Sequence, residues 1–461
     1  KYDWIAKGQE QFTQKMNIAI SSGDLPDFIP VTSIQLKQLA EADMITDIKD
    51  VYEKYASEDT KKYLTLQGTA PLDAATIDGK LWGLPQIKPS YDSIDYLWIR
   101  LDWLEKLGLD APKTMDDVLN IIEVFATKDP DGNNVNDTVG LVVHKDLFGY
   151  YASLTGFFNG YHAYPNTWIE DENGKLVYGS VQPEMKTPLL KLQELYKKGY
   201  MDKEFGVKDF YKVSETVIAG KSGLHYGASF NSLWPLQALR DIDPKSDWQA
   251  FPIVSADDKP VKVTYNMGTT TWVAVNKNAK NPEALVKLFN MFVEKCWSEN
   301  AQYDYYFYPP NAEGTWKLSP ISVLPDIDIY TEIKEAERTG DASKLKGAAK
   351  YTWDLMELYK AGDDKLWGVW RGNGGEGATS ATLEKYISGN HLMMNKYVGP
   401  PTPTLIEKWA TLTKMQNEVF TKIILGNAGI EEFDKFVDDW NKLGGEAITQ
   451  EVNEWYSNIK K

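Results

Sequence analysis

The sequence contains one cysteine, four arginines and four histidines among 461 residues, and it has no long apolar run. A single thiol cannot form a disulfide within the chain, so cysteine usage leaves the redox compartment open. No stretch of about 18 apolar residues occurs, which argues against a membrane-spanning helix. The net charge of −16 argues against nucleic acid or an anionic membrane as a partner, because both require clustered lysine and arginine.

Catalytic signatures are also missing from the sequence. The chain has no Gly-x-Ser-x-Gly, His-Glu-x-x-His or Walker sequence, and its histidines lack the spacing of metal ligands. Cys296 follows the apolar positions of a predicted helix, which indicates a buried core thiol and not a nucleophile. These absences favour a binding protein over an enzyme.

Aromatic residues are abundant, with 16 tryptophans, 26 tyrosines and 16 phenylalanines. Most of them are expected in the core or on amphipathic surfaces. Several are expected to line a cleft and to stack on sugar rings, whose C–H faces are apolar and whose hydroxyl groups are polar.

Apolar periodicity predicts helices that alternate with short buried strands, which is typical of an α/β protein. The length exceeds what one hydrophobic core supports, so at least two domains are expected. Helix-end signals are a capping box at residues 114–117, a C-terminal Gly108, and a side-chain cap from Asn281 before Pro282. The predicted elements are helices over 9–20, through 103–107 and 118–125, from 283, and through 430–443 and 452–459, with strands at 28–31 and 98–99.

Several stretches resemble the family 1 extracellular solute-binding proteins. They are residues 22–27 (SGDLPD), 78–85 (DGKLWGLP) and 97–109 (LWIRLDWLEKLGL). The last of these, together with 112–114 (PKT), 402–404 (TPT), 420–424 (FTKII) and 452–456 (VNEWY), is similar to a subgroup of the family. That subgroup contains the long lipoproteins of Gram-positive bacteria and the alginate-binding receptors.

The resemblance implies an α/β, two-lobed (Venus flytrap) fold with three hinge crossovers and the ligand in the cleft. We expect crossovers near 90–97, 262–272 and 318–330, an N-terminal lobe at 1–95 and 268–320, and a C-terminal lobe at 96–267 and 321–461. Short crossovers suit hinge bending, because few torsions need to change. The family's first strand and helix are expected to be missing from this chain, and residues 2–5 are expected to belong to a strand.

Residues 129–138 (DPDGNNVNDT) have the oxygen spacing of a calcium-binding loop. Asn134 stands where an EF-hand has glycine, and asparagine tolerates a left-handed backbone. Gly140 stands where the EF-hand has its bidentate glutamate, and a polar turn without metal would have a similar composition. We therefore expect a structural Ca2+ held by Asp129, Asp131, Asn133, Val135, Asp137 and Thr138.

Candidate ligand contacts combine aromatic, polar and glycine residues, a mixture that suits a sugar pocket. For Trp82 core packing is an equal alternative. Arg371 is either a bidentate partner for a uronic carboxylate or a partner of Glu376 that shapes the loop. The full set of candidates is Trp82, Lys88, Tyr91, Asp92, Tyr226, Asn231, Trp234, Trp367, Trp370, Arg371, Asn373 and Glu376.

The resemblance implies an extracytoplasmic receptor that captures a neutral or uronic oligosaccharide and delivers it to the permease of an ABC transporter. The protein is expected to be monomeric and anchored to the cell membrane as a lipoprotein. Two other functions stay open: a glycoside hydrolase or polysaccharide lyase, which also uses an aromatic cleft, and a peptide-binding receptor of similar architecture.

Overall fold

The computed structural model describes residues 9–149, 151–307, 319–326, 329–375 and 377–460. The chain divides into two compact units. The first unit comprises Lys1–Ser90, Met267–Ile327 and Val398–Thr402, and the second comprises Tyr91–Asn266, Asp328–Tyr397 and Pro403–Lys461. The strand predicted at residues 2–5 lies outside the described residues.

Helices and short strands alternate along the first half of the chain. Up to Ser90 they are α1 (Gln9–Ser22), β1 (Phe28–Val31), α2 (Ser33–Glu41), α3 (Lys49–Tyr55), α4 (Glu58–Leu64), α5 (Ala70–Asp73), β2 (Thr76–Ile77), β3 (Lys80–Leu81) and β4 (Gly83–Pro85). To Asn266 they are β5 (Tyr96–Arg100), α6 (Leu101–Leu107), α7 (Met115–Thr127), β6 (Tyr151–Ser153), α8 (Thr155–Gly160), β7 (Trp168–Glu170), β8 (Leu176–Tyr178), α9 (Lys186–Lys197), α10 (Phe210–Ile218), β9 (Leu224–Gly227), α11 (Leu236–Ile242), β10 (Trp248–Phe251) and β11 (Val263–Tyr265).

The remaining elements are mainly helices. They are β12 (Trp272–Val275), α12 (Glu283–Cys296), α13 (Tyr303–Tyr306), α14 (Ile329–Thr339), α15 (Gly347–Lys360), α16 (Trp367–Asn373), α17 (Thr379–Ser388), β13 (Leu392–Met394), α18 (Pro403–Ile424), α19 (Glu431–Trp440) and α20 (Glu446–Ile459). Short 3-10 turns occur at Tyr91–Ser93 and Ser229–Ser232, among others.

The first unit contains a three-stranded antiparallel sheet in the order β1-β12-β4. Helix α12 packs on α3 and α4, and its last residue, Cys296, is buried as predicted. Burial raises the pKa of this thiol to about 12, so it stays protonated and unreactive at neutral pH. The predicted side-chain cap from Asn281 is wrong, because the start of α12 receives no side-chain hydrogen bond there.

The second unit is built on a four-stranded antiparallel sheet in the order β10-β5-β9-β6. The central strand β5 is buried along its whole length, which explains its continuous apolar sequence. Tyr96 and Tyr151 both pair with Gly227, and we call the end of the strands at which these three residues lie the Gly227 edge. Arg100 pairs with Trp248 at the other end of the strands, which we call the Arg100 edge.

Local helix signals in the second unit are confirmed. The Thr114 hydroxyl accepts from the backbone N–H of Asp117 at 3.2 Å, and the Asp117 carboxylate accepts from the backbone N–H of Thr114 at 2.9 Å. Gly108 ends α6 in the left-handed conformation. The predicted apolar positions of the helix through 430–443 are confirmed as buried or partly buried except at Leu443. Leu443 is exposed because Gly444 (φ 134°) bends the chain between α19 and α20. None of the helices among the described residues has the length and apolarity needed to cross a membrane.

Gly223 tests how tightly the Arg100 edge is packed. A Cβ at this position would lie 2.3 Å from the Trp103 ring and 2.9 Å from the Phe125 ring, and both rings are buried. We expect Gly223→Ala to lower the free energy of unfolding by about 1–3 kcal/mol through overpacking. Gly206→Ala is the control, since its nearest neighbours would be side-chain atoms at 3.7 Å. Equal melting temperatures of Gly223→Ala and Gly206→Ala would contradict this account of the packing.

Candidate ligand-binding site

The Gly227 edge collects segments that are far apart in the sequence. Strand β5 begins at this edge and β9 ends at it, because antiparallel partners place the start of one strand beside the end of the next. The turn at Tyr91–Ser93 therefore precedes β5 on the same side of the sheet as the turn at Ser229–Ser232, which follows β9. The predicted contacts Tyr91 and Asp92 lie on the first of these turns, and the predicted contact Trp234 lies two residues beyond the second.

Tyr91 belongs to a mixed aromatic and amide surface. Its ring meets that of Tyr265 edge to face, with centroids 5.6 Å apart. The backbone N–H of Asn266 donates to the Ser93 hydroxyl at 3.0 Å, and the Asn395 amide donates to the Asn266 side-chain carbonyl at 3.1 Å. Sequence reasoning missed Tyr265, Asn266 and Asn395, which the parallel pairing of β11 with β13 brings together.

Trp234 lies in a cluster of four rings. Its centroid is 5.2 Å from that of Phe210, 5.9 Å from that of Tyr151 and 6.1 Å from that of Tyr211. Trp234 is partly buried, whereas Tyr211 is 69% exposed. No local pattern selects Phe210 or Tyr211, because their place beside Trp234 depends on the packing of α10 next to β6.

Tyr226 and Asn231, two of the predicted contacts, are buried in the second unit. Tyr226 is 0% exposed, and its hydroxyl approaches the Met115 sulfur at 3.9 Å. Asn231 is fully buried as well. Tyr226 lies on β9, an internal strand flanked by β5 and β6, and Asn231 lies in the turn that follows this strand. Neither side chain has exposed surface at the Gly227 edge.

Arg371, predicted as a ligand contact, has an acidic partner within the second unit. The side chain is 4% exposed, and its guanidinium donates to the Asp247 carboxylate at 2.7 Å while lying 4.7 Å from the Trp370 ring centroid. Asp247 directly precedes β10 at the Arg100 edge, away from the Gly227 edge. The contact with Asp247 uses one terminal nitrogen of the guanidinium, while the buried Arg371 Nε has no hydrogen-bond partner in the part of the chain that the structure describes. Glu376, the alternative partner, lies outside the described residues.

The other predicted contacts on α16 differ in how deeply their side chains are buried. Trp367 is 1% exposed and packs in the core of the second unit. Trp370 and Asn373 are partly buried, and Trp370 stacks on Tyr359 with centroids 5.1 Å apart. A Cβ at Gly368 would lie 2.5 Å from the Ser232 carbonyl oxygen, so α16 presses against the turn that follows β9. The two predicted loop segments are thus neighbours in space.

Two predicted contacts lie in the first unit. Trp82, between β3 and β4, is partly buried, and the Lys80 ammonium lies 5.6 Å from its ring centroid. Lys88 is exposed, three residues beyond the end of β4. Neither position excludes a ligand contact, and both stay predictions.

The 129–138 loop directs several oxygen atoms toward one another. Asn134 is left-handed (φ 61°), as predicted. The Asp129 carboxylate accepts from the backbone N–H groups of Gly132, Asn133 and Asn134, and the Asn133 amide donates to Asp131 at 2.9 Å and to Asp137 at 3.1 Å. Burial and the neighbouring Asp129 carboxyl raise the pKa of Asp131. The Asn133 amide thus links the Asp131 and Asp137 carboxylates, and oxygen ligands of this kind suit a hard divalent cation.

Lys221 supplies positive charge to this loop. Its ammonium lies 2.5 Å from the Asp137 carboxylate and 3.5 Å from that of Asp131. Thr138 does not fit the predicted ligand set, because its buried hydroxyl donates to the Phe125 carbonyl at 2.8 Å. The described part of the chain contains no group of three or more acidic, histidine or cysteine side chains in metal-binding geometry.

The sequence profile described as bacterial extracellular solute-binding protein matches residues 1–295. This chain belongs to that family. The predicted resemblance is thereby confirmed, and the protein is a solute-binding protein.

Two relatives from Bacillus subtilis (strain 168) align with nearly the whole solute-binding protein. The polygalacturonan/rhamnogalacturonan-binding protein YtcQ is 24% identical over 468 residues, which cover 99% of this chain and 85% of the relative. Lipoprotein LipO is 22% identical over 465 residues, which cover 100% of this chain and 86% of the relative.

Solved structures share the fold. An EF-hand mutant of the S. pneumoniae ABC-transporter substrate-binding protein FusA, in complex with fructo-nystose, has a TM-score of 0.69 at 19% identity and covers 98% of this chain and 92% of its own. The alginate-binding protein AlgQ2 without calcium ion has a TM-score of 0.64 at 16% identity, covering 96% of this chain and 89% of its own. The predicted fold class is confirmed.

Asp95 gives a pH-dependent test of the structure beside the site. This buried carboxylate, just before β5, accepts from the backbone N–H of Gly156 at 2.9 Å. Burial raises its pKa to about 7 in the folded protein from 3.8, so the folded state binds the proton more tightly. This group's contribution to stability therefore falls as the pH rises from about 4 to about 7.

We expect Asp95→Asn to remove that fall, because the amide stays neutral. The melting temperature of Asp95→Asn minus that of the wild type should be higher at pH 8 than at pH 5. Asp258→Asn, in an exposed loop, controls for the loss of one carboxylate. A difference between Asp95→Asn and the wild type that does not change with pH would contradict the burial of a titrating carboxyl.

Proposed function

We propose that this solute-binding protein captures an oligosaccharide and delivers it to the permease of an ABC transporter. The observation that carries the proposal is that partly buried rings and amides lie on the segments next to β5 and β9 at the Gly227 edge. Aromatic faces stack on the apolar faces of sugars, while amide and hydroxyl groups bond to sugar hydroxyls. Trp234 and Tyr91 supply rings, and Ser93, Asn266 and Asn395 supply polar groups.

The relatives support a carbohydrate as the ligand class. YtcQ is named for polygalacturonan and rhamnogalacturonan, and the FusA structure is a complex with fructo-nystose. These sugars differ from one another, so they indicate the class and not the identity of the ligand. Because Arg371 is committed to Asp247, we propose that any recognition of a uronic ligand uses other groups.

The proposal also covers the two lobes of the protein, its transporter partner and its location relative to the cell. We take the two compact units as the two lobes of the binding protein. Its partners are the ABC permease subunits, and the protein acts as a monomer outside the cell, held at the membrane by a lipid anchor. The membership of an extracellular family and the likeness to a lipoprotein support this location.

We propose that the protein does not chemically alter its ligand, and turnover distinguishes this from a hydrolase or lyase. A glycosidase needs two carboxyl groups flanking the scissile bond. Of the acidic residues on the segment before β5, Asp92 is exposed and Asp95 is buried with a backbone partner. Incubation with galacturonan and fructan oligosaccharides, followed by chromatography, should return every sugar intact. New products would reverse this part of the proposal.

Replacement of Trp234 tests the stacking role. Trp234→Ala should weaken oligosaccharide binding by about 2 kcal/mol, or about thirtyfold in Kd, because a partly desolvated ring is lost. Isothermal calorimetry on the panel of galacturonan and fructan oligosaccharides measures the change. Trp353→Ala is the matched control, since Trp353 is partly buried but packs in the small core cluster around Ala336. Equal affinities for the two variants would place the site elsewhere.

We also propose that the 129–138 loop binds Ca2+ as a structural clip at the Arg100 edge. Asp129, Asp131, Asn133 and Asp137 would hold the ion with the Val135 carbonyl, and the bound ion would lock the loop and supply no chemistry. The Asn133 amide bridge between the Asp131 and Asp137 carboxylates supports this proposal. So do two structural neighbours, one described as AlgQ2 without calcium ion and the other as an EF-hand mutant of FusA.

Calcium should raise the melting temperature, and a chelator should reverse the shift. A ligand present at a hundredfold excess over Kd stabilises the folded state by about 2.7 kcal/mol. Asp131→Ala should abolish the shift, whereas Lys221→Gln should enlarge it, because the competing ammonium is removed. Asp171→Ala, in another polar Asp turn, should leave the calcium shift unchanged. A wild type insensitive to both calcium and chelator would refute the clip.

A further inference from the structure

The start of α10 places an exposed tyrosine at the Gly227 edge. The Phe210 ring lies 5.4 Å from that of Tyr151, and Tyr151 pairs with Gly227. Tyr211 follows in the first turn of the helix, with its centroid 5.1 Å from that of Phe210 and 6.1 Å from that of Trp234. The exposed ring therefore lies directly beside the tryptophan assigned to ligand stacking.

The packing of α10 positions Tyr211 beside Trp234 but leaves most of the Tyr211 side chain exposed. The side chain is 69% exposed, so its ring gains little from burial, and it meets the rings of Phe210 and Trp234 edge to face. The two neighbouring rings therefore lie at different depths, since Tyr211 is exposed and Trp234 is partly buried. Adjacent rings that are open to solvent can stack on the apolar faces of sugars.

The charged groups at the start of α10 have partners within the same helix turn. The Asp209 carboxylate caps α10 by accepting from the backbone N–H of Lys212 at 2.9 Å. The Lys212 ammonium pairs with Glu215 at 2.9 Å. Because these charges are paired, the two rings suit the uncharged C–H face of a sugar better than an ionic group.

We propose that Trp234 and Tyr211 form two successive sugar-stacking subsites, with Trp234 the inner and Tyr211 the outer one. This inference rests on the proposed carbohydrate-binding function and refines it: the ligand is a chain of several sugar units that extends along the Gly227 edge. Trp234 is the inner subsite because three neighbouring rings surround it. Tyr211 then determines the preference for chain length.

Calorimetry with galacturonan and fructan oligosaccharides, from dimers to hexamers, tests the inference. Tyr211→Ala should weaken binding of the longest oligosaccharides about tenfold and leave the shortest bound oligosaccharide unaffected, because only long chains reach the outer ring. Trp234→Ala should weaken binding at every length. Tyr305→Ala is the matched control, since Tyr305 is 67% exposed in the first unit. Tyr211→Leu, which keeps an apolar side chain, should reproduce the alanine result and excludes a folding defect as its cause.

The outcomes separate the two proposals. If the wild type binds oligosaccharides and both Tyr211 variants retain its affinity at every length, the outer subsite is refuted while the receptor function stands. A loss that is equal at all lengths also refutes it, because Tyr211 would then belong to the inner site. If the wild type binds no oligosaccharide of either class, the carbohydrate-binding function fails, and the outer subsite fails with it.

Discussion

The antiparallel pairing of β5 with β9 is the contact on which the functional half of the protein depends. Its register, with Tyr96 opposite Gly227 and Trp98 opposite His225, puts the Trp98 ring in the core, where its indole N–H donates to the Ala228 carbonyl at 3.2 Å. A slip of one residue would turn Trp98 to the other face of the sheet and break this bond. The register therefore determines which segments emerge at each edge.

The two edges of this sheet carry different properties. The Gly227 edge gathers partly exposed rings and amides, the chemistry of sugar recognition. The Arg100 edge gathers charge that is paired: Arg100 bonds to the Asp102 carboxylate, and Arg371 bonds to Asp247. Each guanidinium also lies over a tryptophan ring, as expected where a buried cation must be both paired and packed.

Features encoded within a few residues were predictable from the sequence. The capping box at Thr114, the left-handed Gly108 and the left-handed Asn134 each depend on neighbours in the same turn. The family resemblance rested on similarly local motifs. The pairing of Arg371 with Asp247 was not predictable, because the two residues are 124 positions apart and no local pattern identifies the partner. The candidate site was predictable only in part for the same reason: Tyr211 was missed, since its proximity to Trp234 follows from the packing of α10 and from no pattern in its own segment.

The central claim is that this protein holds an oligosaccharide without transforming it. Native mass spectrometry of the protein purified after growth on pectin or fructan, followed by release and analysis of the bound species, tests it most directly. We expect a complex whose added mass equals a whole number of sugar units, with the same intact oligosaccharide recovered on unfolding. A bound peptide, or sugar fragments that accumulate with time in the presence of the protein, would contradict the account.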